Sequence, residues 1–216
     1  MKMNKLIIAG AILACQTLPA LAQPGGGDQD TSMSFFITSR GPGDGANLGG
    51  LAGADAHCAL LASEAGVTGK TWRAYLSTTG ADGVYARDRI GSGPWYNANG
   101  ELVGRGVMDI HYSNANLNKQ RSVDENGNTI NGVGDTPNMH DILTGTNADG
   151  TASDMTCNNW TSNTDQSRAT VGHFDRVGGG AMAESWNAAH VSRGCSQEQL
   201  QASGGNGFFY CFATGE

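Results

Sequence analysis

The sequence predicts a mixed α+β domain with long loops, closed by two disulfides. Three observations point there. Glycine supplies 33 of 216 residues while charged residues make up only 15%, a composition rich in turns and poor in long solvated helices. Only one segment keeps helical periodicity, whereas several short segments alternate or are continuously apolar. Four cysteines remain beyond the leader, Cys58, Cys157, Cys195 and Cys211, and an even count in an exported chain reads as two disulfides with three possible pairings. Coiled coils, helical bundles and charge-rich disorder are excluded. The net charge of −7 argues against non-specific nucleic-acid binding, because no excess of cations is present to displace counterions.

The leader comes first in chain order. Lys2 and Lys5 precede an apolar run over 6–13, and Ala20-Leu21-Ala22 forms an A-x-A cleavage site before Gln23, the pattern of a secretory signal peptide over 1–22. Ile12-Leu13-Ala14-Cys15 also resembles a lipobox, which would instead anchor the chain through lipid on Cys15. Cleavage before Gln23 leaves 11 basic against 20 acidic residues, a charge of −9. Residues 23–33 read as a flexible tail and 34–216 as the domain. No later apolar run is long enough for a transmembrane helix. The location implied is secreted or periplasmic.

Ser34-Phe35-Phe36-Ile37-Thr38 predicts the first strand, and five glycines with a proline over 40–50 predict a loop. Leu51, Asp55, Cys58, Leu61, Ala62 and Ala65 fall at helical spacing, with Gly66 as the stop. Trp72, Ala74 and Leu76 alternate with polar or mixed neighbours, a strand. Asp82 is placed to cap a short helix over 84–90. Trp95-Tyr96 and Leu102-Val103 flank Asn99-Gly100, a hairpin signal. Residues 105–138 are polar and aperiodic and read as a long surface loop or insertion. Ile142-Leu143 restarts ordered structure, Cys157 to Trp160 reads as a strand, 164–180 as mostly loop, and Phe208 to Phe212 as the closing strand.

Most chemical motifs fail on inspection. Gly69-Lys70-Thr71 lacks the first P-loop glycine, since Glu64 stands there. No G-x-S-x-G or H-E-x-x-H occurs, and no C-x-x-C. His57, His111, His140, His173 and His190 show no ligand spacing, so no metal site is expected from them. Asp124-Glu125-Asn126-Gly127-Asn128 supplies calcium-loop oxygens at positions 1, 3 and 5, but Thr129 replaces the glycine and Asp135 the closing glutamate. Asn147-Ala148-Asp149-Gly150 is a similar fragment, and both read as Asx turns, leaving no expected cofactor beyond the calcium option. Trp72, Trp95, Trp160 and Trp186 fit core positions better than a sugar-stacking platform.

Several segments together resemble the endostatin domain and its bacterial relatives within the C-type-lectin-like superfold. These are Ala54-Asp55-Ala56-His57-Cys58, the run from Gly66 through Trp72-Arg73-Ala74-Tyr75-Leu76-Ser77, Arg87-Asp88-Arg89, the run from Tyr96 to Leu102, the run from Thr144 to Gly150, Cys157-Asn158-Asn159-Trp160, and Tyr210-Cys211-Phe212. The resemblance spans about 35–212 and implies a C-type-lectin-like domain with nested disulfides, Cys58 to Cys211 and Cys157 to Cys195. The family's basic heparin surface is not reproduced, since only Arg73, Arg87 and Arg89 fall in a comparable region. Its N-terminal zinc histidines are missing, because 23–50 holds no histidine. The superfold's sugar-binding calcium turn is also incomplete at Thr136-Pro137-Asn138, as is the strand Trp186-Asn187-Ala188.

The expected function is an exported, non-enzymatic ligand-binding module whose partner is a glycan or a cell-surface protein. A structural or adhesive envelope protein and an exported hydrolase are the alternatives. The expected ligand surface comprises Asp149, Asn158, Asn159, Trp186 and Asn187, because amides and an indole suit hydroxyl-rich ligands.

Overall fold

A computed structural model describes residues 30–113, 116–179 and 182–214. The signal-peptide reading, the Cys15 alternative and most of the expected tail lie outside the described residues. The folded unit runs from Thr31.

The architecture is mixed α+β. Its centre is β8 (Gly205–Ala213), nine residues long. The second half of β8 pairs antiparallel with β1 (Phe35–Ile37) and β2 (Trp72–Ala74). Its first half pairs in parallel with β5 (Asp141–Leu143). The sheet then continues antiparallel through β6 (Thr170–His173) to β7 (His190–Val191). A separate two-stranded sheet joins β3 (Trp95–Tyr96) to β4 (Leu102–Gly104), the hairpin signalled by Asn99-Gly100.

β8 reads as a continuous apolar run because both of its faces are covered. Phe209, Cys211 and Ala213 join one core with Phe36, Trp72 and helix α1 (Gly50–Glu64). Phe208, Tyr210 and Phe212 join the other with Phe35, Ile37, Tyr75 and Trp186. Each fully buried aromatic of this kind contributes about 1.5–3 kcal/mol by removal from water. All four tryptophans are buried, as expected of core residues in a glycine-rich domain.

Two bridges close the domain in nested order, Cys58–Cys211 and Cys157–Cys195. The first ties α1 to β8 across the same core. Arg73 and Arg89 converge on Asp55 of α1, which also accepts the Ala74 N–H, so these arginines hold α1 to β2. α2 (Ala86–Arg89) is only one turn, and α4 (Gln197–Ser203), capped by the Ser196 hydroxyl, leads into β8.

Three expectations need correction. Cys157 to Trp160 is not a strand. It is α3 (Cys157–Trp160), one turn with φ of 48°, 54°, 52° and 67° in succession, a left-handed turn. Left-handed backbone costs roughly 1–2 kcal/mol per non-glycine residue, so the surroundings must enforce it. The Cys157–Cys195 bridge fixes one end. The Trp160 indole donates to the Ser77 carbonyl at 2.7 Å, and Asn159 bonds both the N–H and the C=O of Thr79. Nor is 105–138 merely a surface insertion. Ile110, Leu117, Val123 and Ile130 are buried in it, and it carries a π-helical turn at Asp109–Ser113. Part of 164–180, expected as loop, forms β6.

Candidate metal centre

The antiparallel register of β5 and β6 sets Asp141 directly opposite His173. In the next pairing His190 of β7 stands opposite Val171, two residues before His173 and therefore on the same face. His140 enters from the residue preceding β5. Three strands thus gather three histidines around one carboxylate, although the sequence separates them by up to fifty positions.

The Nε2 atoms of His140, His173 and His190 lie 3.2, 3.3 and 3.3 Å from Asp141 Oδ1. Ligand atoms of His140, Asp141 and His173 fall within 4.8 Å of one another, and all three residues are buried. The His140 and His173 rings stack at 4.1 Å. Gly178, at φ +145°, passes over this pair, and a Cβ there would come within 2.9 Å of the His173 ring; only glycine permits that approach.

The other ring nitrogens are already engaged. His173 Nδ1 lies 2.8 Å from the Ala183 carbonyl and His190 Nδ1 3.2 Å from the Val191 carbonyl. A carbonyl only accepts, so these Nδ1 atoms carry a proton, which leaves Nε2, the atom turned toward Asp141, as the nitrogen with a lone pair in the neutral form of each ring. His140 Nδ1 faces Asp175 at 3.2 Å, and Asp175 in turn accepts the N–H groups of Val133 and Val177. These are the outer contacts that orient ligating imidazoles in metal sites.

What remains is an electrostatic conflict. Both Asp141 carboxylate oxygens and His173 Nε2 are buried without an aligned hydrogen bond. Burial pushes the Asp141 carboxyl up, but contacts with His173 and His190 and the charges of His190 and His140 outweigh it and hold the group below its ordinary value. His190 is raised, chiefly by Asp141. For Asp175 burial is likewise outweighed, by His140 and the two N–H donors. A proton on one ring satisfies one of the three contacts. One divalent cation can take the carboxylate and the His140 and His173 nitrogens together. Zinc bonds of about 2.0–2.1 Å to nitrogen and oxygen place tetrahedral ligands roughly 3.3 Å apart, close to the separation of each of these nitrogens from Asp141 Oδ1. Imidazole and carboxylate ligands suit zinc or its transition-metal neighbours, not calcium.

Histidines that show no ligand spacing in the sequence thus meet in three dimensions, where His140, Asp141 and His173 form a group that could hold a metal ion. The calcium fragments are self-satisfied turns: Asp124 accepts from the Asn126 and Asn128 backbones and from the Asn128 side chain, and Asp149 Oδ1 accepts the Thr151 N–H and hydroxyl.

The residues expected to bind ligand are placed as follows. Trp186 is core. Asn187 is buried and donates to the Tyr75 hydroxyl and to the Asn147 and Ala148 carbonyls, which brings it beside the Asp149 turn. Asp149 meets Arg87 at 3.6 Å. Asn159 secures Thr79, and only Asn158 of the five is exposed. Trp186 and Asn187 thus build the interior, because their polar atoms and rings face other parts of the chain. The metal-candidate residues give no linear signal beyond the adjacent His140-Asp141.

Compared with known proteins, the chain matches no protein-family model and no curated protein.

Proposed function

We propose that this protein is an exported, non-enzymatic binding module that holds a divalent transition-metal ion, zinc by preference, at His140, Asp141 and His173. The observation that carries this reading is the buried Asp141 carboxylate, which faces imidazole nitrogens at metal-ligand separations without an aligned hydrogen bond. Burial of all three residues favours a closed, structural site over one that exchanges substrate. Export is supported by the two disulfides; among the described residues no helix is long and apolar enough to cross a membrane. An endostatin-like, C-type-lectin-like fold is part of the proposal. Its support is the nested cysteine pairing and the closing strand that pairs with the first. Buried indoles lend no support to sugar stacking, so the metal reading takes the place of a glycan-binding one.

The test is metal content. Tag-free protein, dialysed against zinc and then against metal-free buffer, should retain one equivalent, and His173→Ala should retain none. Cobalt(II) loading of the native protein should give visible d–d bands. Wild-type protein that keeps no zinc and shows no cobalt bands overturns the reading.

A further inference from the structure

We propose that Asp175 is a positioning residue for the metal site: it fixes the His140 ring through Nδ1 and ties the surface turn at 132–135 to that ring, so that the fit of the turn sets metal affinity. This rests on the metal reading above and adds no ligand to it.

His140 lies between two buried carboxylates. Its Nε2 faces Asp141 Oδ1 and its Nδ1 faces Asp175 Oδ1, both at 3.2 Å. Once Nε2 gives its lone pair to an ion, Nδ1 carries the N–H of the neutral ring and needs an acceptor. With side-chain exposure of 7% for His140 and 2% for Asp175, solvent is a poor substitute for that carboxylate. The backbone places it there. The Phe174 N–H donates to the His140 carbonyl at 3.3 Å, one step beyond the last β5–β6 pair, and the Arg176 N–H closes a turn onto the His173 carbonyl at 3.0 Å. One ligand, His173, and the residue that orients another, His140, are thus set by a single turn.

The same carboxylate reaches outward. Oδ1 also accepts the Val177 N–H at 3.2 Å, and Oδ2 accepts the Val133 N–H at 2.8 Å. Val133 and Gly134 are exposed, whereas Gly132 is buried. A Cβ on Gly132 would lie 2.5 Å from Asp175 Oδ2 and 3.3 Å from its Cβ and Cγ. Gly132 is not among the glycines with positive φ, so its backbone would accept a side chain; the carboxylate is what excludes one. Nor can the turn retreat freely. The Asp135 N–H donates to the Gly132 carbonyl, the Gly132 N–H donates to Asp135 Oδ2, and Lys119 pairs with that oxygen. A methyl group at 132 therefore displaces Asp175, and with it the acceptor of His140. The linkage is reciprocal: an ion that needs Asp175 in place also strengthens its bond to the Val133 N–H.

The experiment compares full-length wild type, Asp175→Asn, Gly132→Ala and Gly179→Ala. The last is the control, at a glycine without positive φ whose added Cβ meets nothing within 4 Å. Readouts are cobalt(II) affinity by competition with a chelator, the cobalt spectrum, and zinc-dependent exchange of the Val133 amide. Asn at 175 offers one acceptor oxygen instead of two and sets an NH2 against a donor. Asp175→Asn and Gly132→Ala should each bind cobalt about 10–100-fold more weakly, with shifted d–d bands. Zinc should protect the Val133 amide in wild type and control but in neither variant. A merely structural role would lower stability in chelator and leave the spectrum of the cobalt-bound form unmoved. If both variants keep the wild-type affinity and spectrum, the proposal falls while the metal reading stands. If only Asp175→Asn binds weakly, the tie to the turn falls. If Asp175→Asn does not fold, Gly132→Ala decides by the same readouts. Wild type without cobalt bands overturns both.

Discussion

Replacing Asp141 by Asn should have opposite consequences with and without metal. In chelator, the wild-type carboxylate is a buried charge facing imidazole lone pairs, with neither oxygen in an aligned hydrogen bond. An unsatisfied buried polar group costs about 1–3 kcal/mol, and more when charged. The amide of Asn has nearly the same shape, carries no charge and offers a donor to those lone pairs. For a domain of this size each kcal/mol moves the melting temperature by about 2–4 °C. Asp141→Asn should then melt about 2 °C or more above wild type in chelator. Zinc reverses the order. Free zinc at a hundred times its dissociation constant adds about 2.7 kcal/mol to the protein that binds it, or roughly 5–11 °C, and Asn cannot replace the anionic ligand. The assay is calorimetry of both proteins at about pH 8, above the ordinary imidazole range, in chelator and in excess zinc. A melting temperature for Asp141→Asn several degrees below wild type in chelator would refute the reasoning. The carboxylate would then be stabilised by its histidines alone, and the conflict that calls for a cation would not exist.

Two further outcomes concern other parts of the fold. His111 accepts the Tyr75 hydroxyl at Nε2 while its Nδ1 faces the Val107 carbonyl, and burial, the largest influence, holds its pKa below the ordinary value near 6.5. The native state therefore resists a proton that the unfolded chain accepts, so this contribution is complete above about pH 6.5 and declines as the pH falls below it, by at most about 1.4 kcal/mol per pH unit. Denaturant titrations in chelator between about pH 7 and 5 should show a shallower decline for His111→Gln; identical slopes would contradict it. Gly172 has no room for a methyl group, because an added Cβ would lie on the Trp186 carbonyl and against the Asn187 backbone. Gly172→Ala should cost roughly 3 kcal/mol or more, and a loss below about 1 kcal/mol in chemical denaturation would show that the 186–187 segment is not seated on β6.

The elements visible in the sequence are those whose burial follows local pattern. Helix α1 keeps its apolar spacing through Ala54, Cys58, Leu61 and Ala62, and the hairpin forms where Asn99-Gly100 marks it. The left-handed turn escapes a linear reading because the apolar ends Cys157 and Trp160 enclose too short a run to show any period. Their spacing of three fits a helical turn rather than a strand face, and the two intervening asparagines are residues that tolerate positive φ. In the 105–138 segment the buried positions are too far apart to form any period. The metal candidate is hidden for a different reason. Its residues meet through strand register, Asp141 against His173 and Val171 against His190, and register is a property of the assembled sheet that no interval between histidines encodes.

The nested bridges bear on how the chain must mature. In a chain exported as proposed, cysteines leave the translocation pore in the order Cys58, Cys157, Cys195, Cys211, yet Cys58 pairs with the last of these and Cys157 with the third. An oxidant that joined thiols strictly as they arrived would link Cys58 to Cys157 and tether α1 to the wrong wall of the domain. Correct maturation requires that Cys58 wait, held reduced until β8 has threaded between β1 and β2, or that an isomerase undo the early link. The protein is thus a natural client for disulfide proofreading, and its yield in a host should follow isomerase capacity more closely than oxidising strength.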